Sequence, residues 1–121
     1  MRKRACSGSP LEQTIGFSRA IRVGPHVAIA AAAPLGPDGS TVGEGDVTVQ
    51  TRRCFDVALE ALAVVGGTAA DVARTPMMLT DIRRWRQAAA VHGEYFAAVR
   101  PACTFVQMTG CIDPAWLVDH G

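Results

Sequence analysis

The chain has 121 residues, 49% hydrophobic and 19% charged, with a formal net charge of +1. That composition belongs to one globular domain burying roughly two-thirds of its unfolded surface, and it excludes a disordered protein. Near-neutral charge also removes any strong field toward nucleic acid or anionic lipid, so neither is expected as a partner.

Arg2, Lys3 and Arg4 resemble the charged start of a signal peptide, but Ser7-Gly8-Ser9-Pro10 follows where an apolar core is required. No apolar run approaches the ~18 residues of a membrane span. Cys6, Cys54, Cys103 and Cys111 show no Cys-x-x-Cys spacing, and a chain this apolar needs no disulfide scaffold, so a reduced cytoplasmic setting is expected. Residues 1–13 are polar and read as an N-terminal arm, not packed structure; residues 14–121 read as a single domain. Arg19-Ala20-Ile21-Arg22-Val23 alternates at period two and predicts a strand. Gly24-Pro25 turns the chain, and His26 to Ala33 returns as the second arm of a hairpin. The alanine run there has helical propensity, yet Pro25 and Pro34 bracket it and the Val and Ile neighbours favour extension.

Pro34-Leu35-Gly36-Pro37-Asp38-Gly39-Ser40 predicts a loop. Asp46 is the expected N-cap of a helix running to about Val65 and ended by Gly66-Gly67. Cys54, Val57, Ala58, Ala61, Leu62 and Val65 form its apolar stripe. A third strand is expected over Val72–Leu79, where Pro76 removes a ladder donor and points to an edge, a bulge or a subunit contact. A second helix is expected from about Ile82 to Ala98, its apolar face using Trp85, Ala89, His92, Phe96 and Val99. Pro101 stops it. Ala102–Met108 and Trp116–Asp119 read as the last two strands. The order predicts an α+β layer, two helices on one face of a mixed sheet.

Several motifs in sequence resemble the Rid family, the YjgF-type reactive-intermediate deaminases also labelled endoribonuclease L-PSP. They include Ile15-Gly16-Phe17-Ser18-Arg19, Gly45-Asp46, Gln50-Thr51-Arg52-Arg53, Arg74-Thr75, Thr80-Asp81, His92-Gly93, Arg100-Pro101-Ala102 and Leu117-Val118. The resemblance spans about Ile15 to Asp119. It implies a chorismate-mutase-like fold, a homotrimer whose sheets form a central barrel, and three clefts between subunits. Active members hydrolyse imines and enamines there without a cofactor, gripping the substrate carboxylate with an Arg from a Pro-Ala-Arg triplet.

Here the triplet reads Pro101-Ala102-Cys103, and a thiol cannot replace a bidentate guanidinium. By the resemblance, Ala31 stands at a Gly whose amide assists, Ser18 at a frequent Tyr, and Phe105 at a small polar residue. Asp119 keeps the carboxylate that positions water and is the expected acid/base. Ser18, Ala31, Cys103 and Phe105 are the expected ligand-binding residues, with an apolar or uncharged metabolite as the matching ligand. Arg100 lies three residues before Cys103, an odd offset that turns it to the other strand face, where a salt-bridged rim position is expected. The family strand runs on past this C-terminus, implying a shorter barrel edge.

The residues also allow a Cys103 nucleophile, which needs a nearby base such as His92, the one histidine expected inside. They favour instead a small packed Cys beside a capped His. His26, His92 and His120 show no metal-ligand spacing, so no metal is expected. Loss of imine deaminase activity is the main expectation, with 2-iminobutanoate/2-iminopropanoate deamination as alternative and ribonuclease activity a weaker one.

Overall fold

A computed structural model describes residues 2–6 and 11–120. Helix α1 (Val47–Val64) begins where Asp46 Oδ1 accepts from Val49 N–H at 3.1 Å, as its position predicts. It ends where Gly66 takes a φ of 89°, a conformation that side chains with a Cβ resist. Helix α2 (Trp85–Phe96) follows a 3-10 turn at Ile82–Arg84, and Asp81 caps that turn through Arg83 N–H. Its buried face is Ala88, Val91 and Phe96, so the stripe is rotated from the expected one and leaves Trp85 37% exposed.

Among the described residues six strands accompany the helices: β1 (Arg2–Ala5), β2 (Ala20–Val23), β3 (His26–Ile29), β4 (Arg74–Leu79), β5 (Ala102–Gln107) and β6 (Val118–His120). One half-sheet runs β1-β2-β3, wholly antiparallel; the other runs β5-β4-β6, with β4 parallel to β5 and antiparallel to β6. Ala32 N–H donates to the His120 carbonyl at 2.8 Å and bridges the halves.

The start of the chain departs from the expected arm. Arg2–Ala5 pairs with β2, placing Ala5 opposite Ala20 in a small core with Ala61, Leu62 and Val65. Within β1 itself, only Ala5 is buried. The three cations before it hide the strand from any hydrophobic pattern, as charges on an edge strand do. Ser7 to Pro10, the turn-forming part of the expected arm, lies outside the described residues. Glu12–Gly16 forms a π-helical turn that the sequence pattern does not signal.

Pro76 sits at a local edge. Ala73 and Leu79 carbonyls accept from β5-side amides, whereas Thr80 N–H donates to Leu117. By alternation, Pro76 turns its missing donor toward β6, whose described pairing stops at Met77.

The main core lies between the β4–β6 half-sheet and the two helices, centred on Phe55. That ring meets Phe96 edge-on at 5.3 Å and His120 at 5.0 Å. Fully buried Gln50 reaches from α1 to the segment before β6. Its Oε1 accepts from Leu117 N–H at 2.8 Å, and its Nε2 donates to the carbonyls of Ala115 at 2.9 Å and Gly43 at 3.2 Å. A Gln50→Leu substitution keeps the volume but strips these partners, each at about 1–3 kcal/mol when left buried and unpaired. Urea unfolding is expected to show a loss of roughly 2–5 kcal/mol; a loss under about 1 kcal/mol would mean that water replaces the amide.

Candidate functional site

Strand alternation divides the expected site residues between two faces. Thr75, Met77 and Leu79 point to the helices and are buried, and their partners on β5 are Cys103, Phe105 and Gln107. Phe105 packs edge-on to Trp85 at 5.9 Å, and Gln107 Oε1 accepts from Ile82 N–H, so this row of β5 faces the helix layer. Asp119 pairs with Met78 and lies on the opposite, open face, between buried Val118 and buried His120. The row Ala32–His120–Met77–Phe105 crosses three strand spacings, about 14 Å. Ala31 and Phe105 therefore line no common floor within one protomer.

Cys103 is exposed, not packed, because β5 is an edge strand in the protomer. All four cysteines are free; Cys111 lies 3.7 Å from Met108 sulfur and forms no bridge with Cys103. His92 contacts Thr75, register partner of Cys103, at 2.7 Å through Nε2, and burial pulls its pKa down. Arg100 is exposed with a φ of 57° and joins no ion pair among the described residues.

Around Ser18, Ala31 and Asp119 the structure adds a residue that sequence reasoning passed over. Arg19 Nη1 donates to the Ala31 carbonyl at 2.8 Å, and the guanidinium lies 5.6 Å from the Phe17 ring centre. Its Nε is buried without an acceptor. Ala20 is buried against the α1 side and Arg22 reaches the Val65 carbonyl of that helix, so alternation sends Arg19 to the open face with Asp119. That alternation was available in the sequence.

Burial pushes the Asp119 carboxyl up to about 6, against the His120 N–H bond it accepts and the positive charge of Arg19. Burial likewise pulls His120 down to about 4, and both its ring nitrogens are buried without partners. His92 is thus not the sole internal histidine: His120 is 5% exposed, because β6 alternation turns it onto Phe55.

A separate cleft of about 990 Å³ opens between β3 and β4 over α1, lined by Val27, Leu62, Arg74 and His120 among others. None of the five expected site residues borders it. Among the described residues no three His, Cys, Asp or Glu side chains converge as a metal site, and no helix is long and apolar enough to cross a membrane.

This architecture, two helices against mixed sheets, is that of an α+β protein whose last strand carries an acid beside a buried histidine. The sequence model of the endoribonuclease L-PSP family matches residues 8–119. An uncharacterised Streptomyces coelicolor protein is 37% identical over 116 residues, covering 96% of this chain and 86% of the relative. A RutC family protein of Sulfurisphaera tokodaii is 30% identical over 93 residues, covering 77% of this chain and 74% of the relative. The crystal structure of Mycobacterium tuberculosis Rv2704, described as a YjgF/YER057c/UK114 family member, superposes with a TM-score of 0.90 at 38% identity, covering 99% of this chain and 95% of that one. The chain belongs to this endoribonuclease L-PSP family, the YjgF or Rid family.

Adjacent Asp119 and His120 act on stability with opposite signs. His120 titrates at 6.5 in its ordinary state and at about 4 when folded, so its contribution is complete above 6.5 and lost as pH falls toward 4. His92 acts in the same direction. Asp119 rises from 3.8 to about 6, so its contribution is present below 3.8 and lost as pH rises through 6. The two largely offset. Asp119→Asn removes one side, and its unfolding free energy is expected to drop by roughly 2–3 kcal/mol more than that of the parent between about pH 7 and pH 4.5. Parallel pH profiles from urea titrations would contradict this.

Proposed function

We propose that the protein works as a cytoplasmic homotrimer whose clefts between protomers bind a small metabolite, without arginine-dependent imine deamination. The division of the site carries this reading. Ala31 and Asp119 lie toward one side of the sheet, and Cys103 and Phe105 on the edge strand at the other, so a site drawing on both sets needs a second copy. Exposed Val106 on the open face of β5 and exposed Val23 on β2 are in keeping with such an assembly. Four unpaired cysteines agree with a reducing compartment.

Cys103 presents no charge to a substrate carboxylate, and loss of one charge-assisted bond costs on the order of 2–3 kcal/mol of transition-state binding, a drop of about 30-fold or more. A second reading, a surviving hydrolase of 2-imino acids, draws on Asp119: a carboxyl titrating at about 6 is suited to general acid–base work near neutrality. A ribonuclease reading has the net charge of +1 and 6% aromatic content against it.

Ammonia release from a pyridoxal-phosphate dehydratase separates the two. Micromolar protein is expected to leave that rate unchanged, and clear acceleration would establish the hydrolase. Cys103→Arg is expected to gain measurable rate and, at this exposed edge, to shift stability by no more than about 0.5 kcal/mol. Sedimentation at working concentration gives the oligomeric state directly; a monomer would remove the shared cleft.

A further inference from the structure

We propose that the cleft between β3 and β4 is a strand-acceptor slot, taking an extended peptide that continues the direction of β6. β6 itself shows the mode of entry. At His120 it is paired on both flanks: its carbonyl accepts from Ala32 N–H at 2.8 Å, and its register partner on the other side is Met77. Both pairings are antiparallel, so the β3 chain and β4 stand two strand spacings apart there, about 9.6 Å, with one strand between them. Past His120 that interval is the cleft of about 990 Å³, lined by His120 at one end and by Pro25, just before β3, at the other. The four residues of β3 give it a length of about 13 Å.

Both walls present backbone groups to this slot. Among the described residues β3 pairs only with β2. Ala30 N–H donates to the Arg19 carbonyl, so by alternation Ala28 and His26 also face β2, and Val27 and Ile29 turn their N–H and C=O groups to the cleft. On β4, Thr80 N–H donates to the Leu117 carbonyl. The same alternation aims Arg74 N–H and C=O into the slot, with Pro76 offering a carbonyl alone. Two facing edges of this kind are a template for one more strand. Parity then specifies its side chains, counted from the end nearest His120. The position opposite Thr75 points to the helices, where Phe55, Ala58 and Leu62 line the cleft and favour an apolar residue. The next position, opposite Arg74, points to the open face. Arg74 is exposed and joins no ion pair among the described residues, so an acid there gains a cross-strand partner. The fitting peptide alternates, apolar toward α1, with an acid in second place.

The slot lies within one protomer, so its test stands apart from the cleft between protomers. The full chain is titrated with acetyl-Val-Glu-Val-Thr-Val-amide and followed by proton–nitrogen correlation spectra and hydrogen exchange. The amides of Val27, Ile29 and Arg74 are expected to shift on binding and to exchange about tenfold or more slowly. Lys in place of the peptide's Glu is expected to weaken binding about threefold or more, and Arg74→Glu to reverse that preference. A peptide N-methylated at its central Val loses a ladder donor to β3 and is expected to bind about tenfold more weakly. Binding that N-methylation leaves intact, or that spares those three amides, overturns the slot, as does no binding at millimolar peptide. Protection of the same amides that rises with protein concentration in the absence of peptide assigns the slot to a second copy and overturns the peptide partner.

Discussion

Gln50 sits fully buried on α1 and uses both ends of its amide on the segment leading into β6, accepting from Leu117 N–H and donating to the Ala115 carbonyl. Those bonds settle the register of a strand only three residues long. Too short to define its own place by side-chain pattern, β6 is held from the helix side and pairs with β4 as a consequence. Everything chemical at this end of the protein inherits that placement. A shift of one residue would exchange the faces of Asp119 and His120, burying the acid against Phe55 and turning the histidine outward. The polar group at the helix–sheet boundary thus acts as a positioning device, with every amide atom satisfied.

With the register fixed, burial acts on two adjacent side chains in opposite senses of charge. The carboxyl is driven toward its protonated form and the imidazole toward its neutral one, and the same removal from water explains both. Arg19 moderates the first from the open face without forming an ion pair. Phe55 stands edge-on over the second, and His92 supplies a further reason for His120 to stay neutral. The last strand is therefore close to charge-free near neutrality on its helix side, while its open side retains a group whose proton is exchangeable in that range.

What the sequence disclosed follows the strength of local signals. Asp46 and Gly66 mark the ends of α1 because capping is local chemistry, whereas α2 already stops at Phe96, short of the expected Ala98 and five residues before Pro101. The α+β order was legible from the alternation of periods. Strand β1 was not, since three of its four residues are exposed cations and its pairing with β2 depends on contacts beyond the local window. The face of α2 was misread at Trp85, whose large ring mimics a core position while it packs on Phe105 at the edge strand. At the site, the residue types were readable but the strand faces that carry them were not. Within one protomer, strand parity sets Cys103 and Asp119 on opposite faces. His120 and Arg19 were missed for the converse reason: each is signalled only by the alternation of its own strand.

That parity also changes what the missing guanidinium means. A thiol at position 103 removes charge from β5, an edge strand whose outer backbone row is unpaired in the protomer. Arg19, just before β2, is a different matter, because it is braced by the Ala31 carbonyl and by its own backbone bonds to Ala5 and Ala30. The Arg19 Nε is covered by the chain's own atoms, so the brace holds the guanidinium in place and closes that edge of it. β1, unseen in the sequence, holds through Ala5 the backbone from which Arg19 projects.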